Sequence, residues 1–207
     1  NGAFDFSEAQ CFLAYKDGEV VGRVAAIINH KANETWGVKQ VRFGWIDFID
    51  DLEVSAALLD AVETFGRERG MTQIVGPLGF TDFDPEGMLV EGFDRLSTMA
   101  LIYNYPYYPE HMKKHGYYKE TGWVEYRITL PEQMPEKHVK YAEIIKKRYN
   151  LKIRKLTRSQ IRKERYGHKL FQLINDTYCV LYGYSLLSEK QIDQYVDQYL
   201  GLIDLKM

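Results

Sequence analysis

The 207 residues carry 27 Lys+Arg against 29 Asp+Glu, 45% hydrophobic residues and a pI near 6.3. That balance suits a globular chain with a sizeable core, and it excludes a wholly basic nucleic-acid binder and an acidic disordered tail. The charge is uneven. Residues before 131 hold 12 Lys+Arg and 20 Asp+Glu, the remainder 15 and 9, which suggests two units, 1–130 and 131–207.

No apolar run reaches the ~18–20 residues of a membrane span, and no basic-then-apolar leader opens the chain. A cytoplasmic protein with no membrane partner is therefore expected. The first residue is Asn1 rather than Met, which suggests a piece of something longer or a processed chain. Cys11 and Cys179 sit among apolar neighbours, the setting of buried free thiols rather than a disulfide.

In chain order, residues 10–16, Asp17-Gly18 and Val20 to Ile28 predict a β-hairpin with a type I′ turn. A polar connector, Asn29 to Gly37, leads to a third, central strand at Gln40 to Ile49, where β-branched and aromatic residues dominate. Asp50 and Asp51 open a helix in which Leu58, Ala61, Val62 and Phe65 share one face, with Gly70 as its stop. Thr72 to Val75 is a short strand, parallel to the third because a helix separates them. From Gly76 to Asn104 periodicity is lost, and a loop of that length usually caps a cavity or carries function. Pro109 to His115 suits a short helix and Tyr118 to Leu130 a strand; Pro131 and Pro135 mark a boundary. Beyond it, Glu136 to Tyr149 reads as helix, Leu151 to Leu156 as strand, and Arg158 to Tyr182 and Ser188 to Leu202 as helices. Ser188 and Gln191 form a capping box.

The chemistry-bearing patterns are few. His111 and His115 stand four apart on a short helix but lack a flanking zinc pattern, so they read as solvated and no metal is expected. No Gly-x-Ser-x-Gly turn, Walker loop or Rossmann glycine pattern occurs. Segment 137–169 holds 13 Lys+Arg and two acids, Glu143 and Glu164. It reads as a solvated helix face and a lysine-guarded edge strand ahead of a nucleic-acid contact, which is ranked low. The cluster Tyr103-Asn104-Tyr105-Pro106-Tyr107-Tyr108 is stiff and rich in hydroxyl-bearing rings, suited to lining a ligand pocket and almost equally to a core corner. Asp47, near the end of the central strand, is a candidate base or, on equal footing, a surface carboxylate beside Asp50 and Asp51.

The element order, together with Gly22-Arg23-Val24-Ala25-Ala26-Ile27, Gly76-Pro77, the run Glu86 to Phe93, Tyr103-Asn104, Tyr107-Tyr108 and Gly116-Tyr117, resembles the GNAT superfamily of acyl-CoA-dependent N-acyltransferases, and within it a bacterial family with tandem GNAT-like units. The resemblance covers roughly residues 4–130. It implies an α/β fold with a GNAT-like mixed central sheet flanked by helices, and a mainly helical C-terminal extension resembling the start of a second unit. It also implies acyl transfer from acetyl-CoA or another acyl-CoA to a small-molecule or peptide amine. Cofactor contacts would fall on Phe48, Ile49, Val54, Ser55 and Ala56, and substrate contacts on Phe80, Asn104 and Tyr107. Asp47 would serve as base and Tyr103 or Tyr108 as acid, because Met112 occupies the family's tyrosine position. The loop Asp50 to Ser55 is acidic where the family has a glycine-rich, basic-led one, so a non-catalytic module of the same fold that binds a peptide or small ligand is the alternative. The C-terminal strand, Leu151 to Leu156, is expected to dock on the sheet formed by residues 10–28, within the chain or by exchange in a homodimer.

Overall fold

The computed structural model describes residues 2–98 and 101–202, so Asn1 and the last residues of the expected second unit lie outside the described residues. A short 3-10 helix, Gly2–Asp5, leads into β1 (Ser7–Lys16) and β2 (Glu19–Asn29). At the turn, Asp17 and Gly18 have φ of 53° and 86°. Both are positive, as the right-handed twist of a two-residue hairpin requires. The connector after β2 is in fact a helix, α1 (His30–Trp36). The Asn29 carboxamide oxygen accepts from the Ala32 N–H at 2.8 Å, and Gly37 closes the helix at φ 64°. Caps at both ends specify a helix whose short polar sequence has no apolar stripe to announce it.

β3 (Gln40–Phe48) pairs antiparallel with β2 and parallel with β4 (Gln73–Val75), giving the strand order β1-β2-β3-β4. The crossover between β3 and β4 is α2 (Leu52–Arg67), capped by the Asp51 carboxylate, which accepts from the Glu53 N–H at 2.9 Å. The fold is thus α/β, a four-stranded mixed sheet flanked by helices. β2 is buried on both faces. Val24, Ala26 and Ile28 meet Val54, Leu58, Leu59, Val62 and Phe65 of α2, while Ala25 and Ile27 meet Ala3 and Phe80 on the far side. This two-sided burial explains the unbroken apolar run of the strand.

Among the described residues between β4 and α3 (Tyr107–Lys114) there is no helix or strand. The C-terminal part comprises α4 (Glu136–Arg148), α5 (Arg158–Arg162), α6 (Tyr166–Tyr178) and α7 (Glu189–Leu202). Several expectations are corrected. Tyr118 to Leu130 and Leu151 to Leu156 form no strand, although their composition suits one, because a strand requires a hydrogen-bonded neighbour and neither finds one. The expected pairing of Leu151–Leu156 with residues 10–28 is absent. The helix expected from Arg158 to Tyr182 is broken at Arg165, whose φ is 56°. Both cysteines are exposed rather than buried.

Docking of the C-terminal part is achieved by helices instead. Lys190 pairs with Asp5 at 2.8 Å, the Trp36 indole N–H donates to the Tyr184 carbonyl at 2.9 Å, and Phe83 packs among Phe171, Tyr195 and Tyr199. The Ser188–Gln191 capping box forms as the sequence indicates.

One close approach fixes the geometry of the loop after β4. A Cβ added at Gly44 would lie 2.4 Å from the Leu78 carbonyl oxygen, where backbone covers β3. Gly44→Ala is expected to cost about 2–3 kcal/mol through overpacking, read as a lowered urea midpoint at unchanged slope.

Candidate functional site

The sequence-indicated residues divide between two faces of the sheet. At the end of β3, Phe48 is clamped by α3: the Tyr107 hydroxyl donates to the Phe48 carbonyl at 2.6 Å, and the Phe48 N–H donates to the Tyr108 hydroxyl at 3.2 Å. The Phe48 and Tyr108 rings stack at 4.2 Å. Tyr108 is buried, and burial pushes its hydroxyl up to about 12, so it stays protonated at any physiological pH. Its hydroxyl also lies 3.3 Å from Asp47, whose other carboxylate oxygen binds Arg23 at 2.7 Å in an exposed pair on β2 and β3. Tyr103 is exposed and donates to the Phe93 carbonyl, while buried Asn104 brackets the backbone of Leu89. These two shape the loop. Phe80 lies on the opposite face against Phe4 and Trp45, and Ile49 is exposed, with its N–H donated to the Val21 carbonyl.

Val54 and Ser55, in the first turn of α2, are buried. Ser55 joins a hydrogen-bonded chain that the sequence did not reveal. Its hydroxyl is 2.9 Å from His111 Nδ1 and 2.8 Å from His115 Nε2, and His111 Nε2 is 2.9 Å from the Asp50 carboxylate. The carboxylate requires a proton on His111 Nε2, so in a neutral His111 ring Nδ1 is an acceptor, and it competes for the single Ser55 hydroxyl proton with the Leu52 carbonyl at 3.1 Å. His111 is buried and not solvated as expected; His115 is partly buried, and burial lowers its proton affinity. Beside it, Ala56, Leu59, Asp60, Glu63, His115 and Tyr117 line a shallow cleft of about 150 Å³. That is smaller than the ~300 Å³ at which ligand pockets begin.

The same region tests the cofactor that the resemblance implies. A pyrophosphate at a helix N-terminus needs free N–H groups and no competing negative charge. Here the Asp51 carboxylate already caps α2 and is held by Lys16 at 2.5 Å, with Asp50 and Glu53 alongside. The N-terminus of α2 does not fit a coenzyme A pyrophosphate.

A second cluster lies on the other side of β3. Arg42 is 5% exposed, and its guanidinium donates to the carbonyls of Gly79 at 3.1 Å and Phe80 at 3.4 Å. The Asn29 carboxamide donates to the same Phe80 carbonyl at 2.8 Å. Anchored in this way, residues 79–87 bring Asp82, Asp84 and Glu86 into the electrostatic field of Arg42. Asp84 accepts from the N–H groups of Phe80 and Thr81, closing the turn. Burial raises all three carboxyls: Asp82 to about 6, and Glu86 to about 7 with Asp82 adding repulsion, while the charge of Arg42 opposes both shifts. Tyrosines of the C-terminal part border the cluster. Tyr195 Oη lies 2.9 Å from Thr81 Oγ1, buried Tyr184 is influenced by Asp82, and Tyr182 by Arg42. Among the described residues no group of His, Cys, Asp or Glu could hold a metal ion.

Carboxyls poised near neutrality beside a buried cation suit the capture of an ammonium group and the removal of its proton. Sequence reasoning missed this cluster: the three acids lie in a loop without periodicity, and Arg42, on β3, reaches that loop across 37 positions with no local signal to mark the approach.

No protein-family model matches the chain, and no solved structure matches it. Protein YghO of Escherichia coli (strain K12) is 28% identical over 197 residues, 94% of this chain and 49% of that protein. Bacterial ceramide synthase of Caulobacter vibrioides is 28% identical over 211 aligned positions, 100% of this chain and 53% of that protein. The chain spans about half the length of the curated relatives it matches. No helix among the described residues is long and apolar enough to cross a membrane.

The carboxyl cluster makes stability depend on pH. Because the folded-state values of Asp82 and Glu86 lie above their unfolded values, their contribution is complete below about pH 4 and is lost as pH rises through about 6 and 7. Glu86→Gln should therefore stabilise the fold at pH 8 by about 1–2 kcal/mol after allowing for solvent screening, read as a raised melting temperature relative to the parent, and leave the melting temperature unchanged near pH 4.5.

Proposed function

We propose that the chain is part of an acyltransferase that joins an acyl group to the amine of a long-chain amino alcohol. The observation that carries this reading is the match, along the whole chain, to a protein named for ceramide synthesis. A ceramide is the amide of a fatty acid with such an amine. The order hairpin, central strand, helix, parallel strand supports a GNAT-like acyl-transfer fold.

The cluster around Arg42 supplies what the acceptor side of the reaction needs. An amine arrives protonated and cannot attack until the proton leaves. Glu86, with a value of about 7, accepts that proton into its carboxylate, while Asp82 and Asp84 offset the ammonium charge before transfer. The nitrogen lone pair then forms the C–N bond to the acyl carbon, the bond from that carbon to the donor's leaving group breaks, and the leaving group departs with the bonding pair and takes up the surplus proton of the nitrogen, giving the neutral amide and the free thiol. Asp47, exposed and paired with Arg23, is the weaker choice of base. An acyl-CoA is the donor the resemblance implies, held elsewhere than at the N-terminus of α2.

A second reading, a non-catalytic module that binds a small ligand or peptide, is favoured by the closed state of that N-terminus and by the tyrosine clamp on Phe48. The two readings separate in one assay. The purified protein is incubated with a long-chain acyl thioester and a 2-amino-1,3-diol, and the amide is measured by mass spectrometry. The acyltransferase reading predicts amide formation that falls about 100-fold or more at pH 7 in Glu86→Gln and recovers at pH 9, where the amine deprotonates unaided. Retention of the diol without amide supports the module. Amide formation indifferent to Glu86→Gln removes the carboxylate from the mechanism.

A further inference from the structure

α4 is a helix without a buried residue. Val139, Tyr141, Ile144, Ile145 and the terminal Tyr149 each leave roughly half or more of their surface in water. At 3.6 residues per turn, Tyr141, Ala142, Ile145 and Tyr149 share one arc that also holds His138, with Val139 and Ile144 on its two shoulders. Lys137 and Arg148 border the arc on one side and Lys146 on the other. The two acids, Glu136 and Glu143, fall diametrically opposite, beside Lys140 and Lys147. Beyond the helix the pattern persists in exposed Leu151 and Ile153, interleaved with Lys152, Arg154 and Lys155. Among the described residues, Lys146 alone of the cations between 137 and 156 has a carboxylate partner, Glu143 at 3.5 Å.

We propose that α4 and the segment after it, residues 136–156, form a peripheral docking surface for an anionic lipid bilayer. The helix would lie in the plane of the interface with Tyr141, Ile145 and Tyr149 immersed. The argument is charge complementarity set around an apolar face. Basic side chains at the borders of that face reach outward to headgroups while their methylene stems stay on apolar surface. The acids are kept at the position farthest from the anionic surface. Tyrosines at the ends of the arc suit the headgroup level, where one end of the ring is apolar and the other wet. Lysine is depleted in protein–protein interfaces, which disfavours a second protein on this face, and a phosphate backbone gives no role to Ile144, Ile145 and Ile153. The surface is distinct from a membrane span and does not depend on the acyltransferase reading, although it would place that reaction beside a lipid substrate.

The test is co-sedimentation of the purified protein with phosphatidylcholine vesicles, with and without phosphatidylglycerol, for the parent, Ile145→Asp and the pair Lys137→Glu/Arg148→Glu. All substituted side chains are exposed, and circular dichroism confirms an unchanged fold. Expected is binding to the phosphatidylglycerol vesicles alone, weakened roughly tenfold or more by either variant and by raised salt. Absence of binding, or equal binding to both vesicle types, would overturn the proposal. So would binding to a single-stranded oligonucleotide that Lys137→Glu/Arg148→Glu abolishes and Ile145→Asp leaves intact, because the surface would then be a nucleic-acid contact. A self-association in light scattering that Ile145→Asp abolishes, with no vesicle binding, would assign the face to a second copy of the chain.

Discussion

The buried guanidinium of Arg42 is the constraint from which the rest of the candidate site follows. A charge this deep is tolerated only where its donors are satisfied. Here its Nη1 donates to the backbone carbonyls of Gly79 and Phe80 rather than to a carboxylate in direct contact. The loop after β4 must therefore fold down over β3, and Gly44 supplies the space in which it does so. Once the loop is fixed, Asp82, Asp84 and Glu86 are held together near one cation. Burial strips water from all three carboxyls and raises their proton affinities, with repulsion from a neighbouring carboxylate adding to the rise at Asp82 and Glu86 and the charge of Arg42 opposing it.

The opposite face shows the contrary design. At the ends of β3 and α2 the groups in the region of the implied cofactor contacts have internal partners: Phe48 has Tyr107 and Tyr108, the Glu53 N–H has the Asp51 carboxylate, and Ser55 has two imidazoles. Such a region stabilises the packing of α3 on the sheet. One face is closed by hydrogen bonds and the other holds carboxyls with protons to exchange, and that asymmetry directs the functional reading to the side of Arg42.

What could be read from the sequence was local. The Asp17-Gly18 turn, the apolar stripe and Asp51 cap of α2, and the Ser188–Gln191 box each involve residues within a few positions of one another, and each forms. Tyr118–Leu130 and Leu151–Leu156 carry the right residues for strands, but pairing is a tertiary event and no neighbour is present. α1 was hidden because caps rather than periodicity define it. In the site, the resemblance drew attention to Asp47 and the tyrosines of α3, whereas Arg42 meets its loop across 37 positions and His111 meets Ser55 across 56. A single sequence carries no record of such long-range approaches.

The central claim is that burial raises the titration of Glu86 and Asp82 well above that of ordinary carboxyls, against the opposing charge of Arg42. The most direct measurement is a carboxyl-carbon NMR titration of the folded protein, with Glu86→Gln and Asp82→Asn to assign the signals. The account predicts titration of Glu86 near 7 and of Asp82 near 6. Titration of both with ordinary midpoints near 4 would mean that the carboxyls are solvated bystanders and would contradict it.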